Sequence, residues 1–312
     1  MRKIHISFLK LCFIGITIMT VLLTIAQTNA ADISIDRFIK SDNYYLKLEG
    51  EIQNGDFEKI LNISSNKIIS TIYLYSPGGN VQEAMKISEY LNENLITTTA
   101  PTIIQGLPEL GINGFNTCKT KYGPKNITNC TCDSSCGYIW ILASIRSGNV
   151  IRLHRPRFDY NDYSNMTVID AKKSYDILIN NLKNRFVESQ INPQIIEIVM
   201  NTSSGSIKKL TDDELELVGK YAPFLEELFM AKCKDHIDEL MQYNVLEEKH
   251  KLYDKILRDN CLPNSASLTN FCIKNTEEWD KSFYLMTKNE PKNYFKCRTS
   301  KLNELRISLQ SK

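Results

Sequence analysis

An uncharged run at 69–75, rich in β-branched and aromatic residues, ends on Ser76-Pro77-Gly78-Gly79. Val81, Ala84, Met85, Ser88 and Leu91 then recur at helical spacing. Bounded by Pro and Gly, the run reads as a buried strand. The segment after it carries one apolar stripe, so it reads as an amphipathic helix laid against that strand. Strand, glycine turn and helix in this order belong to a βαβ unit, which commits this part of the chain to a layered α/β architecture. Upstream, Tyr44 to Ile52 alternates enough to be another strand, and 56–61 reads as a short helix.

A second turn carries the chemistry. Cys132-Asp133-Ser134-Ser135-Cys136-Gly137 leads into a very apolar stretch, Tyr138 to Ala143, and Val150 to Leu153 then delivers His154. No other histidine lies between Ala31 and Ala222, so any hydroxyl nucleophile there has a single imidazole for general base. Ser135 at the first turn of a helix would feel the positive end of the macrodipole, where free N–H groups stabilise an oxyanion. Serine is also a common N-cap, and a plain cap at Ser134 or Ser135 accounts for the same residues. Gly78 and Gly79 read first as a tight turn, and also as a place where a carbonyl can approach backbone N–H groups.

Residues 1–30 have the composition of a secretory signal. Arg2, Lys3 and Lys10 supply charge, Leu11 to Ala26 is apolar, and Thr28-Asn29-Ala30 precedes a cut at Ala30/Ala31. The apolar run is short for a membrane span, and membrane attachment follows only if the segment stays uncleaved. Its removal takes the 38 basic residues to 35 against 36 acidic, a formal charge of −1. That balance points to neither nucleic acid nor an acidic surface as partner.

Eight cysteines remain after Cys12 leaves with the signal, an even number that favours disulfides in an exported chain. Cys118, Cys130, Cys132 and Cys136 flank the serines; Cys233, Cys261, Cys272 and Cys297 occupy the last third. Two separately stapled modules follow, with a bond from Cys132 or Cys136 to Cys118 or Cys130 stiffening the serine turn. Zinc is the competing reading for the first group, although its spacing differs from paired Cys-x2-Cys knuckles. A cysteine nucleophile is the weaker use of the same residues.

The stretch 106–130 reads as a long inserted loop, and 168–191 as a long amphipathic helix. Asn192-Pro193 stops that helix and opens the next. Thr211-Asp212-Asp213-Glu214 is a capping box, and Gly219 a C-terminal stop. From Pro223 onward Glu, Lys and Leu recur at helical periods. The expected organisation is a signal at 1–30, an α/β domain at 31–220 and a small helical, cysteine-rich, disulfide-linked domain at 221–312.

Taken together, Ser76-Pro77-Gly78-Gly79-x-Val81, the serine turn before an apolar helix and His154-Arg155-Pro156 resemble the Clp protease/crotonase superfamily. The likeness is to exported proteins related to the Clp protease proteolytic subunit, which pair a Ser-Pro-Gly-Gly strand end with a Cys-x-Ser-x-Cys turn and His-Arg-Pro. It spans about 44–220 and implies a ββα spiral domain. Carried onto this chain, it implies Ser135 as nucleophile, His154 as general base, and the N–H groups of Gly79 and Cys136 as oxyanion hole. The third member falls nearest Asn201, with Asp212 as the alternative. Asp133 departs from the small residue usual there, and the C-terminal module has no counterpart.

The expected function is therefore an exported serine hydrolase of Clp-like peptidase type, periplasmic or secreted. It would act on a peptide or other acyl carbonyl without a cofactor, and the resemblance implies a homo-oligomer. The rival is a catalytically inactive Clp-like binding or assembly protein of the cell envelope. A carboxylate on His154 favours the first, and a serine turn blocked by Asp133 favours the second.

Overall fold

The computed structural model describes residues 31–38, 42–102, 130–157, 163–261 and 270–311. The signal segment, most of the 106–130 loop and Cys118 lie outside the described residues. Two compact units meet at Lys220/Tyr221 in the chain.

The first unit is mixed α/β. Strands β1 (Asp32–Arg37), β2 (Asn43–Glu49), β3 (Ile68–Tyr75), β4 (Thr97–Thr99) and β6 (Arg146–Ser147) form one sheet in the order β1-β2-β3-β4-β6. Only β1 runs antiparallel; the pairs β2/β3, β3/β4 and β4/β6 are parallel. Parallel strands need crossovers, and α1 (Asp56–Ser64) and α2 (Val81–Glu93) supply two of them. A smaller sheet joins β5 (Cys132–Asp133), β7 (Ile151–Leu153) and β8 (Lys208–Lys209), with β5/β7 parallel and β7/β8 antiparallel. Between the two sheets runs α3 (Ser135–Leu142), all eight residues of which are buried. A helix apolar all round belongs inside a core, and Ile139, Ile141 and Leu142 join Leu46, Ile72, Leu74, Ile87 and Leu91 there.

The expected strand 44–52 ends sooner, at Glu49, and Ile52 instead makes a single parallel bridge to Gly79. Strand β1 had no clear signal because its alternation, Asp32 to Arg37, is short and mostly exposed. Downstream, α4 (Val168–Glu188) buries only Leu178, Leu182 and Phe186. Asn192 caps α5 (Pro193–Asn201) by accepting the Gln194 N–H, with Pro193 in the first turn. Thr211 and Glu214 form the reciprocal capping box of α6 (Asp212–Val218).

A side chain from a neighbouring helix caps α1. Its N-cap, Gly55, sits at φ 92° and has no side chain to offer. The Glu83 carboxylate of α2 takes over, accepting N–H bonds from Gly55 (2.9 Å) and Phe57 (2.8 Å), with Lys86 Nζ at 3.1 Å. Burial alone would raise the Glu83 pKa; the bonds from Phe57, Lys86 and Gly55 outweigh it and hold the group below its ordinary value. A depressed carboxylate pKa adds stability above the unfolded pKa and loses it as pH falls through the folded one. Glu83→Gln is expected to cost about 1–3 kcal/mol at pH 7, because two half-buried donors lose their anionic acceptor. The gap from wild type should narrow as pH falls through that lowered pKa. Urea unfolding at pH 7 and pH 3 checks both signs.

The second unit is helical: α7 (Pro223–Lys232), a 3-10 turn (Lys234–His236), α8 (Ile237–Asn260), α9 (Asn270–Lys288) and α10 (Lys292–Gln310). Its buried apolar set among the described residues is small, chiefly Ala222, Leu225, Phe229, Cys233, Cys272 and Tyr294. Units of this size lean on covalent staples, here Cys233–Cys297 and Cys261–Cys272. Arg298 adds its guanidinium over the Tyr221 and Phe295 rings, 4.9 and 4.6 Å from their centroids.

Candidate active site

The site is built where β3, β5 and β7 end side by side. Ser76, just past β3, bridges Cys132 of β5: its N–H donates to Thr131 O and its C=O accepts from Asp133 N–H. Strand β5 pairs with β7 in the register Cys132↔Ile151 and Asp133↔Arg152. The chain therefore leaves parallel strands at Gly78–Gly79, Ser134 and His154 on one edge, the usual place for a ligand in such sheets.

Ser134 forms the junction between β5 and α3. Its backbone is at φ 55°, ψ −121°, a left-handed conformation that a non-glycine residue adopts only when its surroundings enforce it. Three links enforce it. The Ser134 N–H donates to Arg152 O at 2.8 Å, its C=O accepts from Tyr138 N–H, and Cys132–Cys136 closes a disulfide across the turn. Ser134 is half-buried and makes no capping bond with its side chain, so the plain N-cap role is not realised. A strained serine between strand and helix is the arrangement that exposes a nucleophilic hydroxyl beside the N–H of the next residue.

Ser135, expected as the nucleophile, occupies the next position and faces inward. It is fully buried, and its Oγ has no hydrogen-bond partner among the described residues. Of the two adjacent serines it is therefore Ser134, one residue earlier, that reaches the surface of the turn. The spacing Cys-x-Ser-x-Cys, counted from Cys132 to Cys136, has Ser134 at its centre, and that count was the available signal.

Gly78 and Gly79 lie against this turn. A Cβ on Gly78 would fall 2.7 Å from Ser134 Cβ and 2.8 Å from Asp133 O. The Ile52–Gly79 bridge uses Gly78 C=O and Asn80 N–H, which leaves the Gly79 N–H outside it. The first residue of α3 likewise has no intrahelical acceptor for its N–H. Were Ser134 the attacking group, the donor pair would be Gly79 and Ser135 rather than Gly79 and Cys136. Cys136 lies one residue deeper in α3, with its sulfur bonded to Cys132.

His154 follows β7 and is half-buried. Its Nδ1 lies 2.7 Å from Arg155 O. A carbonyl only accepts, so Nδ1 of the neutral ring carries the proton and Nε2 the free lone pair. The Tyr138 hydroxyl, from the middle of α3, donates to His154 O. Burial raises the Tyr138 pKa far above its ordinary value, which keeps this phenol a neutral donor. Arg155 is itself anchored, its N–H donating to Thr202 O at 3.0 Å.

Asn201, expected as the third member, is the exposed last residue of α5 and makes no bond to His154 among the described residues. The segment after α5 contributes through the Thr202 main chain instead. Asp212 opens α6 as its first residue. No described carboxylate contacts His154. Asp133 does not obstruct the serine, because Arg152 grips both of its oxygens at 2.6 Å.

All seven described cysteines are disulfide-bonded. Cys132 and Cys136 pair with each other rather than outward, which removes both the zinc reading of that group and a cysteine nucleophile. Among the described residues no group of His, Cys, Asp and Glu is placed to hold a metal ion, and no helix is long and apolar enough to cross a membrane. Disulfides of this number are the chemistry of an oxidising compartment.

No family model matches the chain, and no curated protein matches it. Among solved structures, the 1510-N membrane-bound stomatin-specific protease, in a serine-to-alanine mutant form, is similar over 62% of this chain and 86% of its own. Identity is 18% and the TM-score 0.37, a likeness too slight to carry an argument about fold or activity.

Proposed function

We propose that this chain is an exported serine hydrolase of Clp-like peptidase type, using Ser134 and His154. The observation that carries this reading is the enforced left-handed backbone of Ser134 at the β5–α3 junction. In the proposed reaction Ser134 Oγ attacks the acyl carbonyl while His154 Nε2 takes its proton. Gly79 and Ser135 N–H groups receive the oxyanion. The C–N bond then breaks, His154 returns the proton to the leaving amine, and water hydrolyses the acyl-serine by the same route.

The Arg155 carbonyl does part of what a triad aspartate does. It holds the imidazole in the productive tautomer, but as a neutral group it stabilises imidazolium less than a carboxylate. A triad that loses its aspartate falls by about 10⁴ in kcat, largely through the wrong tautomer. With the tautomer retained, the expected enzyme is slow but active. The absence of a carboxylate on His154 among the described residues favours the second reading, a non-catalytic binding protein of the cell envelope.

The test is labelling of oxidised protein (residues 31–312) with a fluorophosphonate, read by intact mass. One adduct is expected on the wild type, and His154→Ala should slow its formation by about 10³-fold or more. No adduct on folded, disulfide-intact protein would leave the binding role.

A further inference from the structure

We propose that Asp133 and Arg152 are positioning residues, an ion pair that holds the serine turn in register with the histidine strand. The inference rests on the hydrolase reading above for its consequence, but not for its geometry. The two residues stand directly opposite each other on parallel strands, Asp133 ending β5 and Arg152 central in β7. Arg152 Nε meets Asp133 Oδ1 and Arg152 Nη2 meets Asp133 Oδ2, each at 2.6 Å, the fork-on-fork geometry that gives a charge pair directional strength. The carboxylate is largely withdrawn from water, with 12% of its side chain exposed against 34% for the arginine.

The pair matters because of what it adjoins. Ser134 is the residue after Asp133, and His154 lies two residues after Arg152. The same Arg152 accepts the Ser134 N–H on its carbonyl. The main chain of Asp133 is held from the other side, its N–H donating to Ser76 O at 3.0 Å. Strands β5 and β7 share only two paired positions. So short a ladder specifies register weakly, and a slip of one residue would carry Ser134 away from the glycine turn. A bidentate bond between the two side chains supplies what the ladder lacks. It also keeps the backbone of the preceding residue fixed while Ser134 holds its strained conformation. Lysine cannot replace arginine here, since an ammonium is a point charge and cannot grip both oxygens in one plane.

The experiment uses the full oxidised chain from residue 31 with Asp133→Asn, Arg152→Lys and the reversed pair Asp133→Arg/Arg152→Asp. Arg185→Gln, which breaks a surface ion pair with Glu89, is the control. Two quantities are read on the folded protein: hydrogen exchange at the Ser134 amide, and the fluorophosphonate labelling rate. The single variants are expected to exchange at Ser134 at least about tenfold faster and to label about 10–100-fold more slowly, at a thermal midpoint near wild type. The reversed pair should recover part of both, and the control should move neither. Unchanged Ser134 exchange in folded Asp133→Asn would overturn the proposal, and so, where the wild type does label, would faster exchange with an unchanged labelling rate. Faster exchange in a protein whose wild type never labels would uphold the positioning role and reject the hydrolase reading.

Discussion

Ser134→Ala is expected to abolish fluorophosphonate labelling, lowering the rate by about 10³-fold or more, while Ser135→Ala should stay within about threefold of wild type. The two serines are adjacent and chemically identical, so the contrast isolates backbone geometry. Ser134 is half-buried at φ 55°, with the glycine turn against it. Ser135 is sealed in the core with its Oγ unpartnered. Alanine at 135 keeps the N–H assigned to the oxyanion and removes a buried hydroxyl that forms no bond. Its stability should therefore hold or rise by about 1 kcal/mol. Intact mass after timed labelling, with urea unfolding of the same samples, reads both effects. Equal loss in both variants would mean that the turn, not one hydroxyl, is what the substitution damages.

Gly79→Ala is the largest expected loss of stability, at least about 3 kcal/mol. Gly79 sits at φ 138°, and a Cβ there would fall 2.1 Å from Ile52 O, 2.8 Å from Ile52 N and 2.9 Å from Ile52 C. All three are backbone atoms of the bridging residue, so neither side can yield without breaking the bridge that closes the turn. Gly55 provides the comparison. Its φ is 92°, yet nothing lies within 4 Å of a Cβ there, so Gly55→Ala should cost only the backbone strain of about 1–2 kcal/mol. Urea unfolding of the two variants in parallel separates close approach from strain. A Gly79→Ala protein no less stable than Gly55→Ala would refute the packing described around the oxyanion turn.

Much of the first unit is legible in the sequence. The apolar run at 69–75, the glycine turn and the helical stripe after it specify a strand, a turn and a helix by periodicity alone. The capping signals at Asn192-Pro193 and Thr211–Glu214 marked helix starts that the side chains then occupy. Isolation in the sequence singled out His154. Other features leave no such trace. A helix start is uncertain by a residue or more from pattern, and with two serines in a row that uncertainty decided which one faced outward. A sequence offers only side chains as third members, whereas the partner of Nδ1 is the Arg155 carbonyl, a main-chain group with no residue type to mark it. Asp133 looked like an obstacle because its partner lies 19 residues away, and only the β5/β7 register brings Arg152 opposite. Glu83 capping a helix that begins at Asp56 is hidden for the same reason.

On the proposed mechanism the strained residue between β5 and α3 is the activated nucleophile. The most direct measurement is to react the oxidised protein with a fluorophosphonate and map the adduct by tandem mass spectrometry. One adduct is expected on Ser134, with Ser135 unmodified. An adduct on Ser135, or none on folded protein with its disulfides intact, would contradict it.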